Sequence, residues 1–165
     1  MKFLFDDEAF SFEALRVTGY APYGGADLGE VIVTARQIPD GDEAAWHRCW
    51  KQTAERLHAA GMEALRAGHR ISARESLLRA SNYYRTAGFY LRDHPGDDPE
   101  VRLLSTRVRD TFATTAELQP GQAAVVGRGE QGQAVVIMRP RSDRLWFSLQ
   151  HHWADPVGLQ GAGGG

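Results

Sequence analysis

Asn82, Tyr83, Tyr84 and Arg85 stand side by side in SARESLLRASNYYR, residues 72–85. They are costly side chains to place where an apolar face should be, so the stretch is a piece of active site, a seam between helices or a solvated surface. Chemistry beyond binding needs a nucleophile, a base or a metal. No serine of the chain stands in the G-x-S-x-G context of a nucleophile elbow. Cys49 lies between Trp46 and Trp50 in a helical pattern, which favours a core thiol over a reactive one. Asp6–Asp7 and Asp97–Asp98 sit where helices begin, so capping explains them. Gly127, Gly129 and Gly132 in GRGEQG match G-x-G-x-x-G. That motif binds phosphates when a helix follows; here QAVVIM follows, which suits a strand and makes the glycines a hairpin loop. His151, His152 and Asp155 are the nearest approach to a metal set. Adjacent histidines point in different directions and no further ligands cluster beside them. The sequence therefore predicts no catalytic residue, no cofactor and no metal site.

The chain has 165 residues, one cysteine and a formal net charge of −2. The size suits one domain, with or without a tail. A near-balanced charge gives no basic field for nucleic acid or an anionic membrane. A lone cysteine forms no internal disulfide, which fits a reducing compartment. MKFLFDDEAF is too short in apolar residues for a secretory signal, and no run approaches the ~20 apolar residues of a bilayer span. A soluble cytoplasmic protein is the expectation.

Two unlike parts make up the chain. Residues 1–118 are rich in Ala, Leu, Arg and Glu and read as a helical domain. Pro120 and Gly121 break the pattern, and residues 119–165 form a glycine-rich tail. Within the tail, two apolar runs suggest a β-hairpin over 122–138, followed by a disordered end. In the first part, a helix after Asp6 and Asp7 places Phe5, Ala9, Phe12 and Arg16 on one face. Asp27 caps a short segment through VIVTA, for which a strand is a rival to a helix. Asp42 caps a long helix over about 43–66, with Trp46, Trp50, Ala54, Leu57, Gly61 and Leu65 on one face and Gly68 as its stop. A second long helix, about 70–92, carries Ala73, Leu77, Ala80, Tyr84, Ala87 and Leu91. A third runs from Pro99 to about Leu118. The short connection at residues 67–69 predicts an antiparallel pair, and Gly61, Ala73 and Ala80 allow a close approach. The expected class is mainly α, an antiparallel helical hairpin or bundle. Asn82, Tyr83 and Arg85 fall off the main stripe, toward solvent or an absent partner.

GGADLGE (24–30), IPDGDEAAW (38–46) and SARESLLRASNYYR (72–85), in that order, carry a family resemblance. Over about residues 3–118 the chain resembles the N-terminal helical region of bacterial α/β-hydrolases. That group includes FrsA-like esterases, dihydroxypseudooxynicotine hydrolase and dipeptidyl aminopeptidase-like relatives. The resemblance implies a lid folded over a serine hydrolase active site, with Asn82, Tyr83 and Arg85 at the edge of the substrate pocket. It implies no catalysis by this chain alone, because the elbow serine, acid and histidine do not follow. The tail does not resemble the family, which suggests a truncated or frameshifted product with foreign residues after about 119. The partners implied are a second copy or a chain carrying the hydrolase core. Two rivals are a tetratricopeptide-like interaction module, suggested by the Gly61, Ala73, Ala80 spacing, and the lid subunit of a split hydrolase.

Overall fold

The computed structural model describes residues 2–91 and 98–118, and the backbone of 124–128, 134–138 and 147–148. Helices α1 (Glu8–Thr18), α2 (Leu28–Ala35), α3 (Glu43–Arg66), α4 (Arg70–Ala87) and α5 (Pro99–Leu118) make up the helical part. A 3-10 turn, Ala21–Tyr23, lies between α1 and α2. The mainly α class is as expected.

Aspartates start four of these helices; at α5, Asp98 accepts the Glu100 N–H at 2.7 Å. Asp7 accepts the N–H of Phe10 at 2.8 Å, Asp27 that of Glu30 at 3.0 Å, and Asp42 that of Ala45 at 2.9 Å. Each satisfies one of the free donors of a helix N-terminus. With its cap in place, the VIVTA segment is helical throughout. Helix α3 ends before Gly68, whose φ of +79° is a left-handed conformation that suits glycine.

The long helices run up, down and up. Gly61 meets Leu77, Trp50 packs on Tyr83, and Trp46 bonds to Thr86, so α3 and α4 are antiparallel. Arg70 reaches Glu117, Ser81 reaches Val108 and Gly88 faces Leu104, so α4 and α5 are antiparallel too. Helix α4 is thus the central rod. A Cβ on Gly61 would lie 2.8 Å from Leu77 Cγ, which shows how tightly α3 and α4 approach.

The core is aromatic. Phe10 lies 4.7 Å from Trp46 and 4.9 Å from Tyr90 between ring centroids, and Trp46 stands 5.8 Å from Trp50. Trp50 in turn packs at 5.3 Å on Tyr83. Offset and edge-on pairs like these add to the area that each ring buries. Cys49 is a buried free thiol, as its flanking tryptophans suggested.

Two local expectations need correction. Helix α1 buries Phe10, Ala14 and Val17, whereas Phe12 is 63% exposed. Placing Phe12 inward misjudged the helix phase by about half a turn, because Phe10 already fills the space against Trp46. Helix α4 stops at Ala87 rather than 92. The Gly88 N–H bonds back to Tyr84, and Phe89 and Tyr90 turn onto α1 and α3.

In the second part of the chain, strands β1 (Ala124–Arg128) and β2 (Ala134–Met138) pair antiparallel, from Ala124 opposite Met138 to Arg128 opposite Ala134. Strand β3 (Phe147–Ser148) pairs with β2. Gly129, Gly132, His151, His152 and Asp155 lie outside the described residues. Among those described, no helix is long and apolar enough to cross a membrane.

Candidate functional site

Burial separates the four polar residues that end SARESLLRASNYYR. Asn82 is 8% exposed, Tyr83 fully buried and Tyr84 2% exposed. Arg85 is half-buried. Asn82 and Tyr83 therefore do not face solvent in this chain. The segment from Gly25 to Glu30 covers them, and periodicity along α4 carries no signal of that third layer.

Tyr83 is a strut. Its hydroxyl accepts the Asp27 N–H at 2.9 Å and donates to Glu30 Oε2 at 2.9 Å. Arg79 Nε lies 3.1 Å from the same carboxylate oxygen, an ion pair not aligned as a hydrogen bond. Burial above all pushes the Tyr83 phenol well above its ordinary pKa, so it stays a proton donor. These bonds tie the cap of α2 to the middle of α4.

A second polar group forms where α4 meets α1 and the 3-10 turn. Asn82 Nδ2 donates to the Gly25 carbonyl at 2.8 Å, which fixes the amide. Its Oδ1 then accepts from an Nη of Arg85 at 2.8 Å. The Arg85 guanidinium lies over the Tyr20 ring, 4.9 Å from the centroid. From α1, Arg16 pairs with Glu13 at 2.8 Å and lies over Phe89, again at 4.9 Å. Glu13 is 3% exposed, a carboxylate held inside the fold beside Arg16. Burial lowers the pKa of Arg85; the charge of Arg16 adds to that shift and Glu13 opposes it.

Sequence reasoning missed Glu13, and it placed Arg16 on the helix face with Phe12 without its ion pair. An acid and an arginine three apart on a helix look like a solvated surface pair. The signal was their place on the same turn as Ala14 and Val17, once the phase of α1 is right.

His58 is the histidine with a distinct environment. Its Nδ1 lies 3.2 Å from the Tyr84 hydroxyl, and burial lowers its pKa. It has no hydroxyl or thiol nucleophile beside it other than that phenol among these contacts. The arrangement as a whole can orient and hydrogen-bond a polar group. Among the described residues it holds no paired nucleophile and base of the kind that acyl transfer requires.

No family model matches the chain. Individual proteins do. The hydrolyase poxO of Penicillium oxalicum is 46% identical over 115 residues, covering 69% of this chain and 27% of poxO. The α/β-hydrolase gkaG of Penicillium citrinum is 37% identical over 117 residues, 71% of this chain and 27% of its own length. The crystal structure of 2,6-dihydroxy-pseudo-oxynicotine hydrolase superposes with a TM-score of 0.51 over 77% of this chain and 32% of that one. Its sequence identity is 18%, so it speaks for the fold. The chain resembles the N-terminal helical region of α/β-hydrolases. It spans about a quarter to two fifths of the length of the curated relatives described here. Nothing in these matches favours the tetratricopeptide-like module.

One relative reaches further. The hydrolase LUC6 of a Fusarium species is 32% identical over 163 residues, covering 97% of this chain and 38% of LUC6. Such an alignment must include most of residues 119–165. That segment has a counterpart in a hydrolase, against the expectation of foreign residues.

Proposed function

We propose that this chain forms the lid of an α/β-hydrolase active site carried by the remainder of such an enzyme. The observation that supports the reading best is the 46% identity to poxO over 115 residues, on a helical unit with a hydrolase counterpart in fold. A lid works by walling the pocket and excluding water, which strengthens every electrostatic contact inside. The face bearing Arg85 suits that role. Asn82 holds the guanidinium, and Tyr83 braces the same helix turn from behind. In this reading Arg85 stands at the edge of the substrate pocket, and the buried Asn82 and Tyr83 support it from behind.

The partner is then the hydrolase core, and the reaction is acyl transfer by that core's serine. Two assays test this. The chain alone is expected to show no turnover of a p-nitrophenyl ester that a serine-hydrolase inhibitor abolishes. Added to a poxO-type core lacking its own helical region, it is expected to restore inhibitor-sensitive hydrolysis. Inhibitor-sensitive turnover by the chain alone, or no gain on addition to the core, would sink the proposal.

A further inference from the structure

The cluster of Glu13, Arg16, Asn82 and Arg85 does not balance its own charge. Among the described residues it sets one carboxylate, Glu13, against two guanidinium groups. Glu13 is committed to Arg16 at 2.8 Å. Among the described residues Arg85 has no salt-bridge partner, only the neutral oxygen of Asn82. A half-buried cation without its own counter-ion is costly. The lowered pKa of Arg85 agrees with that cost.

Both cations are also held in fixed orientations. Each lies 4.9 Å from the centroid of an aromatic ring, Arg16 over Phe89 and Arg85 over Tyr20. A guanidinium has five N–H donors, and the bond to Asn82 engages one of its nitrogens. Arg16 Nε is buried without an acceptor among the described residues. A stacked, planar fork with donors to spare matches a carboxylate. Among the described residues the charge surplus of this cluster is one, which also favours a monoanion over a phosphate dianion.

Beside the fork the surface turns apolar. Phe12 is 63% exposed and Leu15 42% exposed, and both share the outer side of α1 with Arg16. We infer that Arg16 and Arg85 bind the carboxylate of an apolar ligand, whose tail lies along Phe12 and Leu15. That this ligand is the hydrolase's substrate rests on the lid reading; the binding itself does not.

The test is an NMR titration of the whole chain with octanoate, and with octanol as its uncharged counterpart. Saturable binding of octanoate is expected, with octanol at least about tenfold weaker. Arg16→Met and Arg85→Met are each expected to weaken octanoate binding about tenfold or more, and Arg85→Lys less, because lysine keeps the charge but loses the fork. Equal affinity for octanoate and octanol would overturn the inference without any variant. So would the absence of saturable binding up to about 10 mM octanoate, or unchanged affinity in folded Arg16→Met and Arg85→Met. Failure of the lid reading would appear instead in the core-addition assay, with octanoate binding intact.

Discussion

Tyr83 ties α4 to the start of α2 through its oxygen and to α3 through its ring. It receives the Asp27 N–H and donates to Glu30, while its ring packs on Trp50. Tyr83→Phe keeps the ring and removes the oxygen, leaving a backbone donor and a carboxylate short of one bond each. A loss of about 1–3 kcal/mol is expected, read as a lower urea midpoint with unchanged slope. His58 gives a pH signature. Its folded-state pKa lies below the ordinary value of 6.5, so the unfolded chain takes up the proton more readily. The resulting stability is whole above 6.5 and is lost as pH falls through the lowered value. Urea midpoints across that window should fall with pH, and less steeply in His58→Gln. Identical pH slopes in the two proteins would contradict the assignment. At this scale the sequence was least informative. It marked Asn82, Tyr83 and Arg85 as unusual, yet which of them is buried depends on the Gly25–Glu30 segment lying over α4, a contact more than 50 residues away in the chain.

Elements were more legible, because their signals are local. The Asp42 cap and the left-handed Gly68 bracket α3, and the structure places the helix between them at Glu43–Arg66. Asp27 decided the helix-or-strand question for VIVTA by capping Leu28–Ala35. The phase of α1 was misjudged because Phe10 and Phe12 are equally apolar; only Trp46 across the core chooses between them. The α3–α4 seam makes the sharpest element-scale prediction. Gly61→Ala ordinarily stabilises a helix by about 1 kcal/mol. Here the new methyl would meet the Leu77 side chain at 2.8 and 3.0 Å and its backbone N at 3.3 Å. Overpacking costs about 1–3 kcal/mol, so a net loss is expected. Leu77→Ala should relieve part of it, and a double-mutant cycle should show favourable coupling of about 0.5–3 kcal/mol. A Gly61→Ala variant more stable than the parent would show that the seam yields.

For the whole molecule, the matches set the frame. A helical unit that corresponds to 27% of poxO leaves most of that relative's length for other structure. If the chain is a lid, its outer face is built to be covered; Phe12 and Leu15 stand exposed on α1. The chain alone is therefore expected to self-associate weakly at high concentration. Sedimentation velocity should show a mass that rises with concentration, and Phe12→Glu should lower it. A concentration-independent monomer would mean that this face is stable in water. The helical class and order were readable from caps and periodicity. The proposed lid role rests on the motifs in their order and on the hydrolase matches.

The bond from the Trp46 indole N–H to the Thr86 carbonyl spans 2.9 Å at a fully buried site. It joins the first turn of α3 to the last turn of α4. Solvent deuterium reaches that proton only when the two helix ends part. Its exchange rate is thus a clock for opening of that end of the hairpin, by local or global unfolding. One indole resonance would report whether a partner or ligand holds the two helix ends together, on the timescale of hours and without any label.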